Sequence, residues 1–112
     1  MPRWRWRCRR FGPGRPPSWL FLNFLPQIKQ FIPHPCLNPE PIELSYPEYN
    51  VLRLIDLEGL THEEAAKKMN TSRGTVWRLY KSARRKIAQA LNESRPILIS
   101  PKGEVEKVRG GD

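Results

Sequence analysis

Cysteine is scarce in this sequence, and long apolar runs are absent from it. Two of the 112 residues are cysteines, Cys8 and Cys36, which is too few for a disulfide-stabilised scaffold. No stretch approaches the roughly 18 apolar residues that a membrane-spanning helix needs. The apolar segment 19–25 ends at Pro26 without a small-residue cleavage site, so we expect no secretory signal. We therefore expect a cytoplasmic protein with reduced thiols and no membrane partner.

Catalytic and metal-binding patterns are also missing from the sequence. It has no glycine-rich phosphate loop, no carboxylate pair beside a histidine and no nucleophilic triad with a local motif. The candidate zinc ligands are Cys8, His34, Cys36 and His62, but the paired short spacings typical of structural zinc sites are absent. The sequence therefore predicts a protein that is not an enzyme and that uses no metal ion or other cofactor.

Acidic residues are few relative to basic ones. The chain has 20 Lys and Arg against 11 Asp and Glu, which gives a net charge of +9 over a length sufficient for one domain. This balance indicates a polyanionic partner, either nucleic acid or an anionic membrane surface. The charge is unevenly distributed, because residues 1–36 carry +7, residues 37–60 carry −4, residues 61–95 carry +6 and residues 96–112 are neutral.

Proline is absent between Glu48 and Arg95, whereas ten of the twelve prolines lie at or before Pro47. Because proline disrupts helix interiors, we predict helices in the proline-free block and irregular structure before it. The predicted parts are a basic N-terminal arm, a helix-turn-helix domain and a C-terminal tail, at residues 1–44, 45–95 and 96–112. The predicted fold class is mainly α, a three-helix domain with an irregular Pro/Arg-rich arm and a short C-terminal β-hairpin within residues 97–108.

Three helices are predicted from caps and apolar spacing. The first begins at Ser45 or Tyr46 and ends at Gly59. The second follows Thr61 as N-cap, with a glutamate three positions on that completes a capping box, and spans residues 62–69. The third begins at Thr71 or Ser72 and ends near Asn92. Its apolar stripe predicts four buried residues, Val76, Leu79, Ala83 and Ile87.

The spacing between the second and third helices is typical of a helix-turn-helix. This motif needs a small residue where the helices cross, a left-handed residue in the turn and a buried branched residue early in the second helix of the pair. Ala66, Asn70 and Val76 meet these requirements at separations of four and six residues. The alternative is a plain helical hairpin inside another small bundle.

The outward face of the third helix supplies the candidate DNA contacts. Its first two turns would enter the major groove, and the candidates there are Ser72, Arg73, Gly74, Thr75, Trp77, Arg78 and Lys81. Candidate phosphate contacts nearby are Thr61, Arg84 and Arg85. For any single basic residue, the alternative is a solvated helix surface.

The N-terminal segment alternates arginine with tryptophan. Its candidate phosphate-binding residues are Arg3, Arg5, Arg7, Arg9 and Arg10. This pattern suits an arm that follows a duplex, and it also suits a peptide on a membrane surface; we favour the arm because the rest of the chain indicates nucleic acid. The broken apolar stretch 19–32 is expected to pack over the helices or to form a homodimer contact.

Several of these segments resemble a known family. They are Arg9-Arg-Phe, Phe31-Ile-Pro, Leu52-Arg-Leu-Ile-Asp-Leu-Glu-Gly-Leu, Glu63-Glu-Ala-Ala-Lys-Lys-Met, Ser72-Arg-Gly-Thr and Ser82-Ala-Arg-Arg-Lys-Ile-Ala-Gln-Ala-Leu. Over residues 2–100 the chain resembles an uncharacterised family of small archaeal and bacterial proteins predicted to bind DNA. The resemblance implies a helix-turn-helix similar to region four of bacterial sigma factors, and a DNA-binding regulator.

The predicted function is sequence-specific binding of double-stranded DNA in transcription regulation. One alternative is an RNA-binding or non-specific nucleic-acid-binding basic protein, with the Arg/Trp arm as its main contact. A second alternative is a protein-interaction module whose acidic first helix, with Glu48, Asp56 and Glu58, contacts a basic partner such as RNA polymerase.

Overall fold

A computed structural model of the chain describes residues 3–7 and 19–107. The elements follow in the order β1 (Trp4–Arg7), β2 (Leu20–Leu22), β3 (Gln30–Phe31), β4 (Ile42–Ser45), α1 (Tyr46–Leu52), a π-helical turn (Arg53–Leu57), α2 (His62–Met69), α3 (Arg73–Glu93), β5 (Ile97–Ser100) and β6 (Glu104–Lys107). Of these described residues 44% are helical and 22% lie in strands, and their strands form two three-stranded sheets. The predicted mainly-α class is therefore wrong, because the fold combines helices with sheets.

The helices begin at caps that are visible in the sequence. Ser45 and Glu48 form a capping box at the start of α1, in which the Ser45 Oγ accepts from the Glu48 amide at 3.2 Å and the Glu48 Oε1 accepts from the Ser45 amide at 2.8 Å. Beyond α1 the chain continues as the π-helical turn and reverses at Gly59, whose φ of 78° suits glycine. The first predicted helix is thus an α-helix followed by a π turn.

Within the part of the chain that the structure describes, two clusters of buried side chains form the core. The helical cluster joins α1, the π turn, α2 and α3 through Val51, Leu54, Ala65, Ala66, Met69 and Val76. The second cluster packs α3 against a sheet through Leu44, Ala83 and Ile99. Of the four residues predicted to be buried on α3, Val76 and Ala83 are buried, whereas Leu79 and Ile87 are half-buried.

The sheet under α3 has the strand order β3-β5-β4. Strands β4 and β5 are parallel, with Ile42 opposite Ile97, and β4 leads directly into α1. Strand β3 pairs with β5 in the antiparallel sense and forms one edge. This sheet therefore connects the segment before α1 with the segment after α3.

The other sheet has β1 at its centre, in the order β2-β1-β6. Trp4 lies opposite Leu22 on one side and Lys107 on the other, both in antiparallel register. Leu20 and Leu22 are buried, and Phe24 packs on the helical cluster. The apolar stretch after residue 18 thus packs over the helices in its first part.

Two further parts of the fold prediction are wrong. The N-terminal region is not irregular throughout, because it supplies strands β1 to β4. Strands β5 and β6 both form, but they belong to different sheets and are not a hairpin. The physical reason is their side chains: Ile97 and Ile99 of β5 pack with the apolar cluster under α3, whereas Glu104 and Glu106 of β6 are opposite the arginines of β1.

A buried asparagine connects the N-terminal region with α1. The side chain of Asn50 is fully buried, and its Oδ1 accepts from the amides of Asn23 at 2.9 Å and Phe24 at 3.2 Å. Its Nδ2 donates to the Asn23 Oδ1 at 3.3 Å. Asn50 therefore satisfies two backbone donors where the chain leaves β2.

We predict that Asn50→Ala lowers the free energy of unfolding by about 2–4 kcal/mol, because two part-buried amides lose their acceptor. The matched control is Asn92→Ala on the exposed side of α3, which should change it by less than about 0.5 kcal/mol. Urea unfolding followed by circular dichroism measures both. Equal losses in the two variants would contradict the role given to Asn50.

Candidate nucleic-acid interface

Helix α2 is fixed at both ends by local hydrogen bonds. Thr61 is its N-cap, with the Oγ1 accepting from the Glu64 amide at 3.1 Å and the Glu64 Oε1 accepting from the Thr61 amide at 2.9 Å. The hydrogen bonds from Thr61 hold the pKa of Glu64 below its ordinary value. At the other end Asn70 adopts the left-handed conformation, φ 55° and ψ 49°, and the Thr71 amide donates to the Ala66 carbonyl at 3.0 Å.

Helix α3 begins immediately after this turn. Ser72 is its N-cap, and the Ser72 Oγ accepts from the Thr75 amide at 3.1 Å. The predicted left-handed residue and the predicted N-cap of α2 are thus confirmed, and Ser72 is one of the two positions predicted for the start of the third helix. Val76 is completely buried one turn into α3, so the outward face of the helix is fixed by the packing of its inward face.

The first two turns of α3 expose most of the predicted contact residues. Ser72, Arg73, Gly74, Trp77, Arg78 and Lys81 are all exposed, and Thr75 is half-buried. Trp77 keeps 51% of its surface exposed, with the Lys81 ammonium 4.9 Å from its ring centroid. A methyl group in place of the Gly74 hydrogen would meet only the side chains of Arg78 and Ser72, at 3.7 and 3.9 Å.

Two shallow depressions flank Trp77. The first lies between the N-terminal ends of α2 and α3, and its lining is Thr61, His62, Glu63, Arg73, Gly74 and Trp77. The second continues along α3, and its lining is Trp77, Tyr80, Lys81, Arg84, Arg85 and Ala88. The structure therefore brings Thr61 and all the predicted basic residues of α3 except Arg78 into two adjoining concave surfaces, while Arg78 stands exposed beside Gly74.

A carboxylate from the π turn reaches the edge of this surface. The Asp56 Oδ1 accepts from the Tyr80 hydroxyl at 2.7 Å, and its Oδ2 lies 3.7 Å from the Arg84 Nε. The Arg84 guanidinium also lies 5.2 Å from the Tyr80 ring centroid. The hydrogen bond to Asp56 raises the pKa of Tyr80. Of the predicted phosphate contacts, Arg84 is thus already paired with an acid.

The inward side of α3 is held by Glu48 of α1. This residue is 4% exposed, and its carboxylate accepts from the Ser82 Oγ at 2.6 Å and from the Lys86 Nζ at 2.8 Å. Burial raises the pKa of Glu48, but hydrogen bonds from Lys86, the Ser45 amide and Ser82 outweigh burial and hold the pKa below its ordinary value. The buried ion pair fixes the middle of α3 against the start of α1.

Two of the described arginines of the N-terminal segment lie in a strand. Arg5 and Arg7 share one face of β1, since alternate residues of a strand point the same way, and Arg3 directly precedes the strand. Arg5 forms an ion pair with Glu106, and the Arg7 Nη2 lies 2.9 Å from the Glu104 Oε2. Strand pairing and ion pairs therefore hold Arg5 and Arg7 in a sheet rather than in a separate arm.

Aromatic rings complete this basic face of the sheet. The guanidinium groups of Arg5 and Arg7 lie 4.6 and 4.8 Å from the ring centroid of Trp19, and that of Arg3 lies 4.4 Å from the centroid of Phe21. The other two predicted phosphate contacts, Arg9 and Arg10, lie outside the described residues.

The candidate zinc ligands are not assembled into a site in the described part of the chain. Within residues 3–7 and 19–107, no group of three or more His, Cys, Asp or Glu side chains is placed to hold a metal ion. His62 instead packs edge-on against Tyr80, with ring centroids 5.1 Å apart. Cys36 is an exposed free thiol, and Cys8 lies outside the described residues. No helix in that part of the chain combines the length and the apolar character needed to cross a membrane.

Comparison with known proteins identifies the family. The family model described as "Protein of unknown function DUF134" matches residues 1–108. The chain belongs to this family. A UPF0251 protein of Pyrococcus furiosus is 45% identical over 106 residues, which cover 92% of each chain. One of Thermococcus kodakarensis is 49% identical over 94 residues, 81% of this chain and 82% of its own.

The similarity extends across the whole length of a further relative. A UPF0251 protein of Archaeoglobus fulgidus is 39% identical over 109 residues, which cover 96% of this chain and 100% of that one. No solved structure matches the chain. The resemblance to an uncharacterised archaeal and bacterial family is therefore confirmed.

Two residues that shape this surface, Asp56 and Tyr80, are not among the predicted nucleic-acid contacts, and Asp56 was predicted only as an acid facing a basic partner. They are 24 positions apart and lie on separate helical segments, so their hydrogen bond depends on tertiary packing. The protein-interaction alternative placed Glu48 on an acidic surface for a basic partner, whereas the side chain is buried against α3. Pro47 indicates from the sequence that Glu48 lies in the first turn of a helix. The contact of Glu48 with Lys86 cannot be predicted in this way, because it arises only when α1 packs against α3.

We predict that Glu48→Gln lowers the free energy of unfolding by about 1–3 kcal/mol at pH 7, because Lys86 loses a buried charged partner. The folded pKa of Glu48 is below its ordinary value of 4.5, so its charge stabilises the fold above that pH and ceases to do so as the pH falls through the folded value. The difference between wild type and variant should therefore shrink towards pH 3.

The control for this pH series is Glu43→Gln, which removes an exposed pair with Lys102 and should cost less than about 0.5 kcal/mol. Guanidinium unfolding between pH 3 and pH 7 measures both variants. If the free energy of unfolding of Glu48→Gln stayed below that of wild type by the same amount over this range, the carboxylate would contribute through its shape and not through its charge.

Proposed function

We propose that this protein binds double-stranded DNA sequence-specifically through α2, the turn at Asn70 and α3, with the first two turns of α3 in the major groove. The observation that carries this proposal is the distribution of ion pairs. Among the described residues, Arg73, Arg78, Lys81 and Arg85 have no acidic partner within 4.0 Å, whereas Arg84 and Lys86 of the same helix have one. Four unpaired cations on one helix are the expected footprint of a phosphate-binding surface.

The four unpaired side chains also lie on one side of α3. At 100° per residue they fall within an arc of roughly 140°, opposite the buried residues Val76, Ala83 and Ala90. Gly74 lies within this arc and leaves room for DNA to approach the backbone. An approaching duplex would meet these cations without having to break an ion pair, so little of the electrostatic attraction is lost.

Base contacts are proposed for the start of the helix and phosphate contacts for the later turns. Arg78 donates only a long hydrogen bond, at 3.4 Å, to the Thr75 Oγ1, so its guanidinium is available for a bidentate contact with guanine. Arg85 lies almost two turns further and suits a phosphate. Arg5 and Arg7 would have to give up Glu106 and Glu104 first, so we assign them a smaller share of phosphate binding than Arg85.

The biological role that we propose with this binding is transcription regulation in the cytoplasm, with RNA polymerase contact as one mode of action. RNA binding is the second candidate, because the arginine and aromatic side chains on β1 and β2 form the kind of sheet surface that binds single-stranded RNA. The DNA-binding and RNA-binding candidates can be tested in the same protein, since the α3 surface and the β1 surface carry different residues. Competition between duplex DNA and hairpin RNA for the same protein distinguishes the two.

We predict that Arg78→Ala lowers discrimination at one base pair by about 1–3 kcal/mol, whereas Arg85→Ala weakens binding to all duplexes almost equally. Neither residue is buried, so folding should be unaffected. DNA fragments selected from a random pool give the cognate site. Fluorescence anisotropy against that site and a scrambled duplex then measures both variants. Equal, sequence-independent losses would contradict base recognition by α3 and favour non-specific or RNA binding.

We also predict that Asp56→Asn raises affinity for every duplex about two- to tenfold and steepens the salt dependence by nearly one phosphate, because Arg84 is released and a negative charge is removed beside it. The matched control is Glu58→Gln, which makes the same change of charge at an acid paired with Arg53 and should have a smaller effect. Equal gains in both variants would mean that net charge alone matters. A loss in Asp56→Asn would mean that Asp56 holds Arg84 in its binding position.

A further inference from the structure

An apolar groove lies on the side of the molecule formed by α1, the π turn and the sheet under α3. Its volume is about 580 Å³, and its lining is Ile28, Phe31, Leu44, Tyr49, Leu52, Arg53, Asp56, Leu57, Ile87, Ile97 and Ile99. Apart from Arg53 and Asp56, every one of these side chains is aliphatic or aromatic. The groove is thus a concave surface built from six elements and the loop before β3.

The rim of this groove carries large apolar side chains in contact with solvent. Leu57 is 75% exposed and Phe31 is 62% exposed, and Ile32, next to Phe31, is 64% exposed. A small ligand is normally buried over most of its surface, which an open groove with such a rim does not provide. Contiguous exposed apolar surface of this kind indicates a protein partner.

We propose that the groove is the contact surface between two copies of this chain, related by a two-fold axis. Such an interface uses the same patch twice, so the patch must supply both projecting and receiving parts. Here Phe31 and Leu57 project from the rim, and Leu52, Ile87 and Ile99 lie in the groove beside them. The second copy therefore brings its own rim side chains to the groove of the first.

The charges of the groove favour a second copy over other partners. Two chains of net charge +9 repel each other at most contacts, so they can associate only where the local charge is low. Arg53 and Asp56 are the two charged residues of the groove, and each is already paired within the chain, Arg53 with Glu58 and Asp56 with Arg84. The groove therefore presents no unpaired charge that would repel a second copy. The π turn that supplies Arg53 and Asp56 belongs to the acidic segment 37–60, which carries −4.

The sheet adds an open edge to the same surface. Strand β3 is the edge of the order β3-β5-β4, and its Phe31 lines the groove. An edge strand has backbone groups on one side that no strand of its own sheet satisfies. Pairing between the two β3 edges would satisfy them as the groove closes.

The dimer and the proposed DNA contact use different sides of α3. Ile87 is the one residue of α3 in the groove lining, and it lies about 20° around the helix from Val76, opposite the exposed Arg78. Dimer formation therefore leaves the outward face of α3 free. The proposal does not depend on DNA binding and can be tested in its absence.

Sedimentation equilibrium of the full chain between about 5 and 200 µM, without DNA, tests this proposal. The key variant is Leu57→Glu, and the control is Leu37→Glu, because Leu37 is also 75% exposed but lies outside the groove lining. We expect wild type and Leu37→Glu to associate into dimers, and Leu57→Glu to have a dimer dissociation constant at least about 100-fold higher. Phe31→Glu, on another element, should behave like Leu57→Glu.

Circular dichroism and thermal unfolding test whether each variant is folded. We expect all three to fold, because Leu57, Leu37 and Phe31 are all exposed. A wild-type chain that stays monomeric at every concentration overturns the proposal, whether or not it binds a small apolar probe such as anilinonaphthalene sulfonate. Equal weakening by Leu37→Glu overturns it as well, since the dimer would then use another surface. A folded Leu57→Glu that dimerises as strongly as wild type has the same consequence.

Discussion

The position of α3 depends on one buried carboxylate. Glu48 accepts from the Ser45 amide at the start of α1 and from Ser82 and Lys86 in the middle of α3. A carboxylate with these donors can stay charged although it is buried, which its lowered pKa reflects. Because Ser45 also ends β4, the same few atoms join a sheet, the first helix and the third. The outward face of α3 is defined by this inward attachment.

The ion pairs around α3 divide its basic residues and Arg53 into a paired and an unpaired group. Those at the inner and lateral positions are neutralised, Lys86 by Glu48, Arg84 by Asp56 and Arg53 by Glu58. Those at the outer positions of α3 are not paired within the described residues. Exposed pairs contribute little to stability, so their main consequence here is electrostatic. On α3 they leave four unpaired cations together on the outward face, where a polyanion can approach them.

The α2–α3 pair was predictable because its determinants are local. The capping residues Thr61 and Ser72 lie within four positions of the amides that they cap, and Asn70 tolerates the left-handed conformation that the turn needs. The apolar stripe through Val76 predicted the buried side of α3, although Leu79 and Ile87 are only half-buried. This much of the candidate site follows from sequence periodicity and caps alone.

The sheets were not predictable in the same way. Strand β1 pairs with β6, about 100 residues further along, with Arg5 opposite Glu106, and a run of alternating Arg and Trp gives no indication of such a partner. β5 and β6 are close in sequence and looked like a hairpin, but their burial separates them into two sheets. Asp56 could not be placed for a similar reason, since its contacts with Tyr80 and Arg84 arise only when the π turn packs against α3.

The acidic segment 37–60 acquires a different meaning from these contacts. In the sequence its Glu48, Asp56 and Glu58 suggested a surface for a basic partner, but in the structure each of them has a basic partner within the chain. A carboxylate that is already paired attracts an external cation less strongly, because the local field is reduced. The segment thus neutralises Lys86 on the inward side of α3 and Arg84 at its lateral side. The charge of the helix is therefore asymmetric, with an inward side that is close to neutral and an outward side that carries unpaired cations.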